Sequence, residues 1–152
     1  PEDRVLIIYI DADACPVKDE VYKVADRYQM RVVVVAKSTM WTPANGRVEM
    51  VVRPGFGDVD DWIAEQIGPR DIVITTDIPL AARCLAKNAL ALSPKGEPFT
   101  ESDIGSALAL REIRDQMRQQ GVRTGGPAPM AAKNRSRFLA KLDDMVNAIR
   151  RG

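Results

Sequence analysis

The sequence contains no histidine among its 152 residues. This absence removes the Ser-His and Cys-His nucleophile pairs, an imidazole general base and the usual His-ligated zinc and iron sites. Cysteine is scarce as well, because only Cys15 and Cys84 are present and they form no CxxC arrangement. That pattern argues against a disulfide scaffold or a zinc knuckle and favours a reducing compartment. Any chemistry must therefore rest on carboxylates, hydroxyls, lysines, arginines or a bound metal.

Long apolar runs are also missing. The longest, such as residues 5–10 and 32–36, are far shorter than the ~20 residues that a membrane-spanning helix needs. No charged segment precedes an apolar stretch and a cleavage site, as it does in a signal peptide. Hydrophobic residues make up 45% of the chain, which is typical of a folded domain. We therefore expect a single cytoplasmic domain over residues 1–152 with no membrane association.

Charge is distributed unevenly along the chain. Residues 1–122 carry 15 Lys and Arg against 19 Asp and Glu, a net charge of −4, whereas residues 123–152 carry 7 against 2, a net charge of +5. A basic C-terminal segment on a mildly acidic body suggests a polyanionic partner, and a nucleic acid, RNA above all, is the partner that we expect. The alternative is an amphipathic helix whose basic face is only solvated.

Apolar runs rich in β-branched residues alternate with amphipathic stretches in the first 92 residues. This alternation is typical of strand-helix-strand units around a parallel sheet. Strands are predicted at 5–10, 32–36, 48–52, 72–76 and 89–92, and helices at 18–28, 59–67 and 79–88. The predicted fold class is α/β, a three-layer domain with a central, mostly parallel sheet of about five strands.

The chain after residue 92 changes character. A loop at 93–98 precedes a helix predicted from Thr100 to about Gln120, and a Gly- and Pro-rich segment follows. A final helix is indicated by the helical spacing of its apolar residues, which are Phe138, Leu142, Met145 and Ile149. We expect residues 93–152 to be helical additions to a sheet core formed by residues 1–92.

Acidic residues follow three of the predicted strands, each group just ahead of a helix. They are Asp11 and Asp13 after the first strand, Asp58, Asp60 and Asp61 after the third, and Asp77 after the fourth. Ligands of an open parallel sheet bind outside the carboxyl ends of its strands. Like charges repel unless a cation or a raised pKa relieves them. Without histidine, the cation that suits these oxygen ligands is Mg²⁺ or Mn²⁺, which serves phosphoryl or phosphodiester chemistry.

Each acidic group also has a purely structural interpretation. Asp58 and Asp77 are placed to cap helices, and acids are favoured in a first helical turn by the helix dipole. Asp11 and Asp13 are different, because two acids at i and i+2 of an extended chain point to the same side and one cap cannot use both. We therefore predict Asp11, Asp13 and Asp77 as catalytic residues. The predicted metal ligands are these three together with Asp58 and Asp61.

Two further groups are candidates for substrate binding. Hydroxyls after the second strand, those of Ser38, Thr39 and Thr42, surround Trp41 in a polar loop that is a candidate substrate-facing rim; the alternative is an ordinary loop with an anchoring tryptophan. Thr76, after the fourth strand, is a further candidate for substrate binding. The basic segment offers backbone amides and positive charges to phosphate, through Arg123, Gly125, Gly126, Lys133, Arg135 and Arg137. It is not a P-loop, because GxxxxGK[ST] is absent and no strand precedes it.

Three motifs resemble a known family over nearly the whole chain. They are Asp11-Ala-Asp-Ala-Cys-Pro-Val17, Thr75-Thr-Asp-Ile-Pro-Leu-Ala81, and Arg123-Thr-Gly-Gly-Pro-Ala-Pro129 with the following residues 133–143. Together they resemble the YaiI/YqxD family of uncharacterised bacterial proteins, which is similar at fold level to PIN-like nuclease domains. In those domains, acids at strand ends hold a divalent metal for RNA or DNA cleavage.

The resemblance implies particular roles for the acids. Asp11 and Asp77 match that metal site by position, Asp13 is an additional acid beside it, and the intervening carboxylate has to come from the 58–61 segment. A fold relationship alone does not establish cleavage.

Three hypotheses of function follow. The first is a Mg²⁺- or Mn²⁺-dependent, PIN-like nuclease or phosphodiesterase acting on RNA or DNA. The second is a phosphatase of the haloacid-dehalogenase kind with Asp11 as nucleophile, although Asp13 is followed by Ala-Cys-Pro and not by the expected hydroxyl residue. The third is a non-catalytic RNA- or ribosome-associated module, in which the basic segment supplies affinity and the acids cap helices.

Overall fold

The computed structural model describes residues 6–100 and 132–151. Within these two ranges the chain forms five strands and four α-helices. In chain order they are β1 (Ile7–Asp11), α1 (Lys18–Tyr28), β2 (Arg31–Ala36), β3 (Val48–Val52), α2 (Asp58–Gln66), β4 (Ile72–Ile74), α3 (Ile78–Leu85), β5 (Leu90–Leu92) and α4 (Ala132–Arg151). A short 3-10 turn, Ala12–Ala14, follows β1.

The five strands form one parallel sheet in the order β3-β2-β1-β4-β5. In the central strand, Ile10 is level with Val34 of β2 on one side and with Ile74 of β4 on the other. The predicted α/β class with a mostly parallel sheet of about five strands is confirmed. The fourth strand is shorter than predicted, because after Ile74 the chain turns and Thr75 accepts a hydrogen bond from the amide of Asp77.

Alternate residues of the strands enter two separate cores, one on each face of the sheet. Ile8 and Ile10 of β1 face α1 and α4, whereas Tyr9 faces α2 and α3. This alternation follows from the two-residue period of a strand. Because both faces are covered by helices, the strands read as continuous apolar runs.

The C-terminal helix α4 completes the layer that contains α1. Its side chains Phe138, Leu142 and Val146 are fully buried in the same core as Ile8 and Ile10. The turn at Gly96 approaches α4 closely: a Cβ at Gly96 would lie 2.9 Å from the backbone nitrogen of Phe138. The predicted apolar stripe is therefore correct at Phe138 and Leu142, and Val146 is the third member of the buried set.

Several predicted features lie outside the described residues. They are the helix from Thr100 to about Gln120 and the candidate phosphate-binding residues Arg123, Gly125 and Gly126. Over the residues described, the structure contains no helix that combines the length and the apolar character needed to cross a bilayer.

Candidate active site at the carboxyl edge of the sheet

The carboxyl end of β1 lies where the strand order of the sheet reverses. From β1 the chain crosses to β2 through α1 on one face, while β4 on the other side of β1 is reached through α2 on the opposite face. Such a switch point opens a crevice at the carboxyl ends of the strands, where ligands of α/β sheets bind. Asp11 and Asp13 follow β1 and Asp77 follows β4 at this crevice, whereas Asp58, Asp60 and Asp61 follow β3 at the edge of the sheet.

Asp11 is the last residue of β1, and Thr75 holds it in place. The hydroxyl of the buried Thr75 donates to Oδ2 of Asp11 over 2.8 Å and accepts from the amide of Asp77 over 2.9 Å. The pKa of Asp11 is raised by burial, and the charges of Asp77 and Asp13 add to the rise while the Thr75 hydrogen bond opposes it. Sequence reasoning missed Thr75, although a threonine ending an otherwise apolar strand is a usable signal.

Asp77 is the N-cap of α3, as its structural interpretation predicted. Its Oδ1 accepts a hydrogen bond from the amide of Leu80 over 2.8 Å, which satisfies one free amide of the first turn. Oδ2 of Asp77 receives no hydrogen bond from the described residues. Asp77 can therefore cap its helix with one oxygen and offer the other to a ligand.

Among the acids of α2, the structure brings Asp60 to this crevice. Burial raises the pKa of Asp60 to about 6, and the negative charges of Asp77 and Asp11 add to the rise against the opposing charge of Arg83. From the sequence, Asp60 was an acid of a first helical turn and, with Asp58 and Asp61, one of three candidates for the intervening carboxylate, but it was not among the predicted metal ligands. The resemblance left the intervening carboxylate to the 58–61 segment, and the electrostatic contacts point to Asp60.

Asp58 and Asp61, the acids of α2 that were predicted as metal ligands, face other partners. Asp61 is exposed and forms an ion pair of 2.8 Å with Arg83. Asp58 is exposed, and its carboxylate lies directly over Gly55, where any Cβ would collide with it. Asp58 is also not a cap, because α2 begins at Asp58 and Gly57 occupies the N-cap position. Asp60 is the acid of α2 whose pKa the charges of Asp77 and Asp11 raise.

Asp13 reaches the crevice in a different way from the predicted one. The chain does not stay extended after Asp11, because residues Ala12–Ala14 form a 3-10 turn, so the argument from i and i+2 spacing is wrong here. Both carboxylate oxygens of Asp13 accept from the amide of Lys37, over 3.3 and 3.2 Å. Asp13 thereby links the loops that follow β1 and β2, and its charge still acts on Asp11.

The described residues supply little positive charge to these acids. Arg83 pairs with Asp61, and the amine of Lys18 donates to the carbonyls of Ala12 and Cys15, over 3.4 and 2.7 Å. In residues 6–100 and 132–151, no three or more Cys, Asp or Glu side chains are grouped so that they could hold a metal ion. Mg²⁺ needs fewer protein ligands, because it is commonly held by one or two carboxylates with waters and substrate phosphates. Asp11 and Asp77 are the two carboxylates that such an open site would use.

The loops after β2 and β3 carry two exposed aromatic rings. Trp41 is 75% exposed and Phe56 is 99% exposed. The interpretation of Trp41 as an anchor of an ordinary loop is therefore wrong, since its ring is not buried. Phe56 was not singled out from the sequence, although its place between glycines in Pro54-Gly55-Phe56-Gly57 is a signal of a protruding turn. The predicted hydroxyl residues Ser38, Thr39 and Thr76 are exposed in the loops after β2 and β4.

The described basic residues of α4 divide into two kinds. Arg135 donates to the carbonyl of Pro16 over 2.7 Å and pairs with Glu20 at 3.4 Å. It therefore ties α4 to the loop that precedes α1. Lys133 and Arg137 are exposed and remain predicted contacts for phosphate.

Comparison with known proteins agrees with the resemblance of the three motifs. The family profile described as "Uncharacterized BCR, YaiI/YqxD family" matches residues 9–148. The chain belongs to the YaiI/YqxD family. The match includes all the acids of the crevice and all five strands apart from the first two residues of β1.

Individual relatives match over almost their full length. A UPF0178 protein of Rhodospirillum centenum is 52% identical, over 97% of this chain and 99% of the relative. A UPF0178 protein of Paramagnetospirillum magneticum is 53% identical, over 95% of this chain and 96% of the relative. No solved structure matches the chain at a significant level. Family membership thus rests on sequence, and function has to be argued from the crevice.

Proposed function

We propose that this chain is a Mg²⁺- or Mn²⁺-dependent hydrolase of phosphodiester bonds in RNA or DNA, as the similarity of its family to PIN-like nucleases implies. The observation that carries the proposal is the meeting of Asp11, Asp60 and Asp77 at the switch point of the sheet. Each of these acids lies in the electrostatic field of another. Among the described residues, Arg83 is the cation whose charge acts on Asp60, and carboxylates that repel one another in this way are the arrangement that a divalent cation stabilises.

The surroundings of each acid indicate a different role in the proposed reaction. Asp11, positioned by Thr75, and Asp77, through its free Oδ2, are the candidates for holding the cation. A bound divalent cation polarises a phosphate and lowers the pKa of bound water. Asp60 has a pKa of about 6, which suits it to accept a proton from an attacking water near neutral pH. Asp13 has both oxygens on the Lys37 amide, and we assign it the positioning of the β2 loop.

The negative charge of the crevice means that the proposed reaction requires a bound cation. Phosphodiesters are anionic, so the acidic crevice repels them unless a cation intervenes. Exposed cations lie on the loop after β2, at Lys37, and on α4, at Lys133 and Arg137. These side chains are suited to hold neighbouring phosphates. Cleavage is therefore expected to need added metal and to stop in EDTA.

Cleavage of a labelled single-stranded RNA in the presence of Mn²⁺ tests the proposal. Asp11→Asn should lower the rate by at least ~100-fold, within the range for loss of a group that acts on the reacting atoms. Asp61→Asn is the matched control, because it removes one carboxylate from the same edge but one that pairs with Arg83, and it should keep nearly the wild-type rate. Equal rates for wild type and Asp11→Asn would remove the proposal.

A second function is favoured by the hydrogen bonds of two acids. Asp77 caps α3 and Asp13 binds the Lys37 amide, which is the structural role that a non-catalytic RNA- or ribosome-associated module requires. Such a module would bind RNA with a steep salt dependence, because phosphate contacts release counterions. Binding that is unchanged by EDTA and by Asp11→Asn, without any cleavage, would support this function over the first.

A further inference from the structure

Trp41 and Phe56 are the only large hydrophobic side chains classed as exposed in the part of the chain that the structure describes. Other rings are packed: Trp62 lies edge-on to Tyr9, with 6.2 Å between ring centroids, and carries the guanidinium of Arg53 at 5.5 Å. Phe138 is fully buried. The two exposed rings therefore contribute little to the core and are available to a ligand.

The fold places both rings at the same edge as the acids. Trp41 lies in the loop that follows β2 and Phe56 in the loop that follows β3, and these strands are neighbours with Ala36 level with Val52. The β2 loop is joined to the β1 loop where the Lys37 amide meets Asp13. Along the edge, in the order of the strands, the Phe56 loop comes first, then the Trp41 loop, then the crevice at β1 and β4.

The local backbone presents Phe56 at the tip of a defined turn. The amide of Asp58 donates to the carbonyl of Gly55 over 3.2 Å, and the amide of Arg53 donates to Ala36 over 2.8 Å, which ties the start of this loop to the end of β2. Gly57 has φ +75°, a conformation that glycine adopts without strain. The exposed ring is thus held away from the sheet by the turn itself.

The surroundings of the rings indicate the kind of ligand. The exposed neighbours of Trp41 along its loop include Lys37, Ser38, Thr39 and Asn45, with Ala44 and Gly46 as the exposed residues that carry no polar side chain, whereas the buried core of a protein interface is more apolar and poor in charge. Proteins bind single-stranded nucleic acids with exposed aromatic rings, on which the bases stack, and with basic side chains, which contact the phosphate backbone. The Trp41 and Phe56 rings, with Lys37 and the hydroxyls nearby, offer both kinds of group. Paired bases offer no free face, so a duplex does not suit this surface.

We propose that Trp41 and Phe56 stack on unpaired bases of a single-stranded nucleic acid whose backbone runs along the edge toward the acidic crevice. The inference rests on the proposed function and deepens it by naming the substrate class as single-stranded. The rings would set where the strand lies, and the acids would act on a phosphate further along it.

Binding measured without cleavage tests the inference separately from hydrolysis. The full chain, at low salt and with Ca²⁺ in place of Mn²⁺ so that the acids are neutralised, is titrated onto a fluorescently labelled single-stranded RNA, an abasic strand of the same length and a duplex, and the RNA is checked to be intact after each titration. Trp41→Ala and Phe56→Ala should each weaken binding of the single strand by ~5- to 100-fold and leave binding of the abasic strand unchanged. Trp41→Phe, which keeps a ring, should restore most of the affinity.

Tryptophan fluorescence reports the stacking directly. The chain has two tryptophans, so Trp62→Phe leaves Trp41 as the sole emitter. The single-stranded RNA should quench this emission and the abasic strand should not. Equal affinity of wild type and both alanine variants, equal binding of RNA and abasic strand, or no binding at all would each overturn the inference. Self-association in sedimentation that both alanine variants abolish would also overturn it, because it would assign the rings to a second copy of the chain.

The two proposals fail in different ways. If the protein cleaves RNA but its rings do not stack on bases, the proposed function is retained and only the stacking inference is wrong. Stacking by a protein that never cleaves with Mn²⁺ would remove the hydrolase and leave a single-strand binding protein.

Discussion

At the contact between α1 and α4, Asp143 is surrounded by donors, whereas the acids at the carboxyl edge of the sheet are surrounded by one another. Asp143 accepts from the guanidinium of Arg27 and the hydroxyl of Tyr28, each over 2.8 Å, and from the amide of Asn147 over 3.2 Å. Asp11 instead accepts one hydroxyl and faces Asp77 and Asp13. The first arrangement stabilises the fold, and the second leaves negative charge for a ligand to neutralise.

Aromatic side chains show the same difference between the two regions. Of the changes considered, removal of the buried ring should have the largest effect on the free energy of unfolding. Phe138→Ala, in the buried face of α4, should lower the free energy of unfolding by about 3–5 kcal/mol, because it leaves a cavity in the core. Phe56→Ala, at the edge, should change it by less than about 0.5 kcal/mol. Urea unfolding followed by circular dichroism measures both values. A large loss of stability in Phe56→Ala would mean that the Phe56 ring packs against the protein in solution, which would contradict the comparison.

Removal of one carboxylate charge should change the stability of the fold in opposite directions in the two regions. Asp143→Asn weakens the bonds from Arg27 and Tyr28 and should cost about 1 kcal/mol of stability. Asp11→Asn removes a partly buried charge that Asp77 and Asp13 repel, so its urea midpoint should rise above that of wild type. Stability gained where activity is lost is the pattern of a functional site. A destabilised Asp11→Asn would show that this acid serves the fold.

The smallest effect is the pH dependence that Asp60 contributes. Its pKa is raised from 3.8 to about 6 in the folded protein, so the folded state holds the proton more tightly than the unfolded chain does. The resulting stabilisation is fully present below pH 3.8 and is lost as the pH rises through about 6. The difference in unfolding free energy between wild type and Asp60→Asn, followed from pH 4 to pH 7, should therefore fall with increasing pH. A flat difference would show that neither burial nor the charges of Asp77 and Asp11 raise the pKa of Asp60 in the folded protein.

The elements of the fold were predictable because they depend on local pattern. The run at 48–52 is a strand with the predicted bounds, and Pro79 lies in the first turn of α3 as its fixed φ suggests. The carboxyl edge as the place of the acids was also predictable, since it follows from parallel strands. The order of the strands and the parallel pairing of β3 are long-range properties that the pattern of one strand does not contain.

The choice among neighbouring acids was not predictable from spacing. Asp60 and Asp61 are adjacent in sequence, and successive residues of a helix point about 100° apart. The partner that separates them is Arg83, which lies on α3 and pairs with Asp61. The spacing argument for Asp13 was wrong because the chain turns after Asp11, and the amide of Lys37 in the loop after β2 holds the Asp13 carboxylate. In both cases the deciding contact comes from another element of the fold.

The central claim is that the carboxylates meeting at the switch point bind a divalent cation. Calorimetric titration of the full chain with Mn²⁺ at pH 7.5 tests it without any assumption about the substrate. We expect saturable binding to wild type, at least ~10-fold weaker binding to Asp11→Asn, and near wild-type affinity for Asp61→Asn, whose carboxylate belongs to Arg83. Absence of binding to wild type, or equal affinity of wild type and Asp11→Asn, would contradict the account.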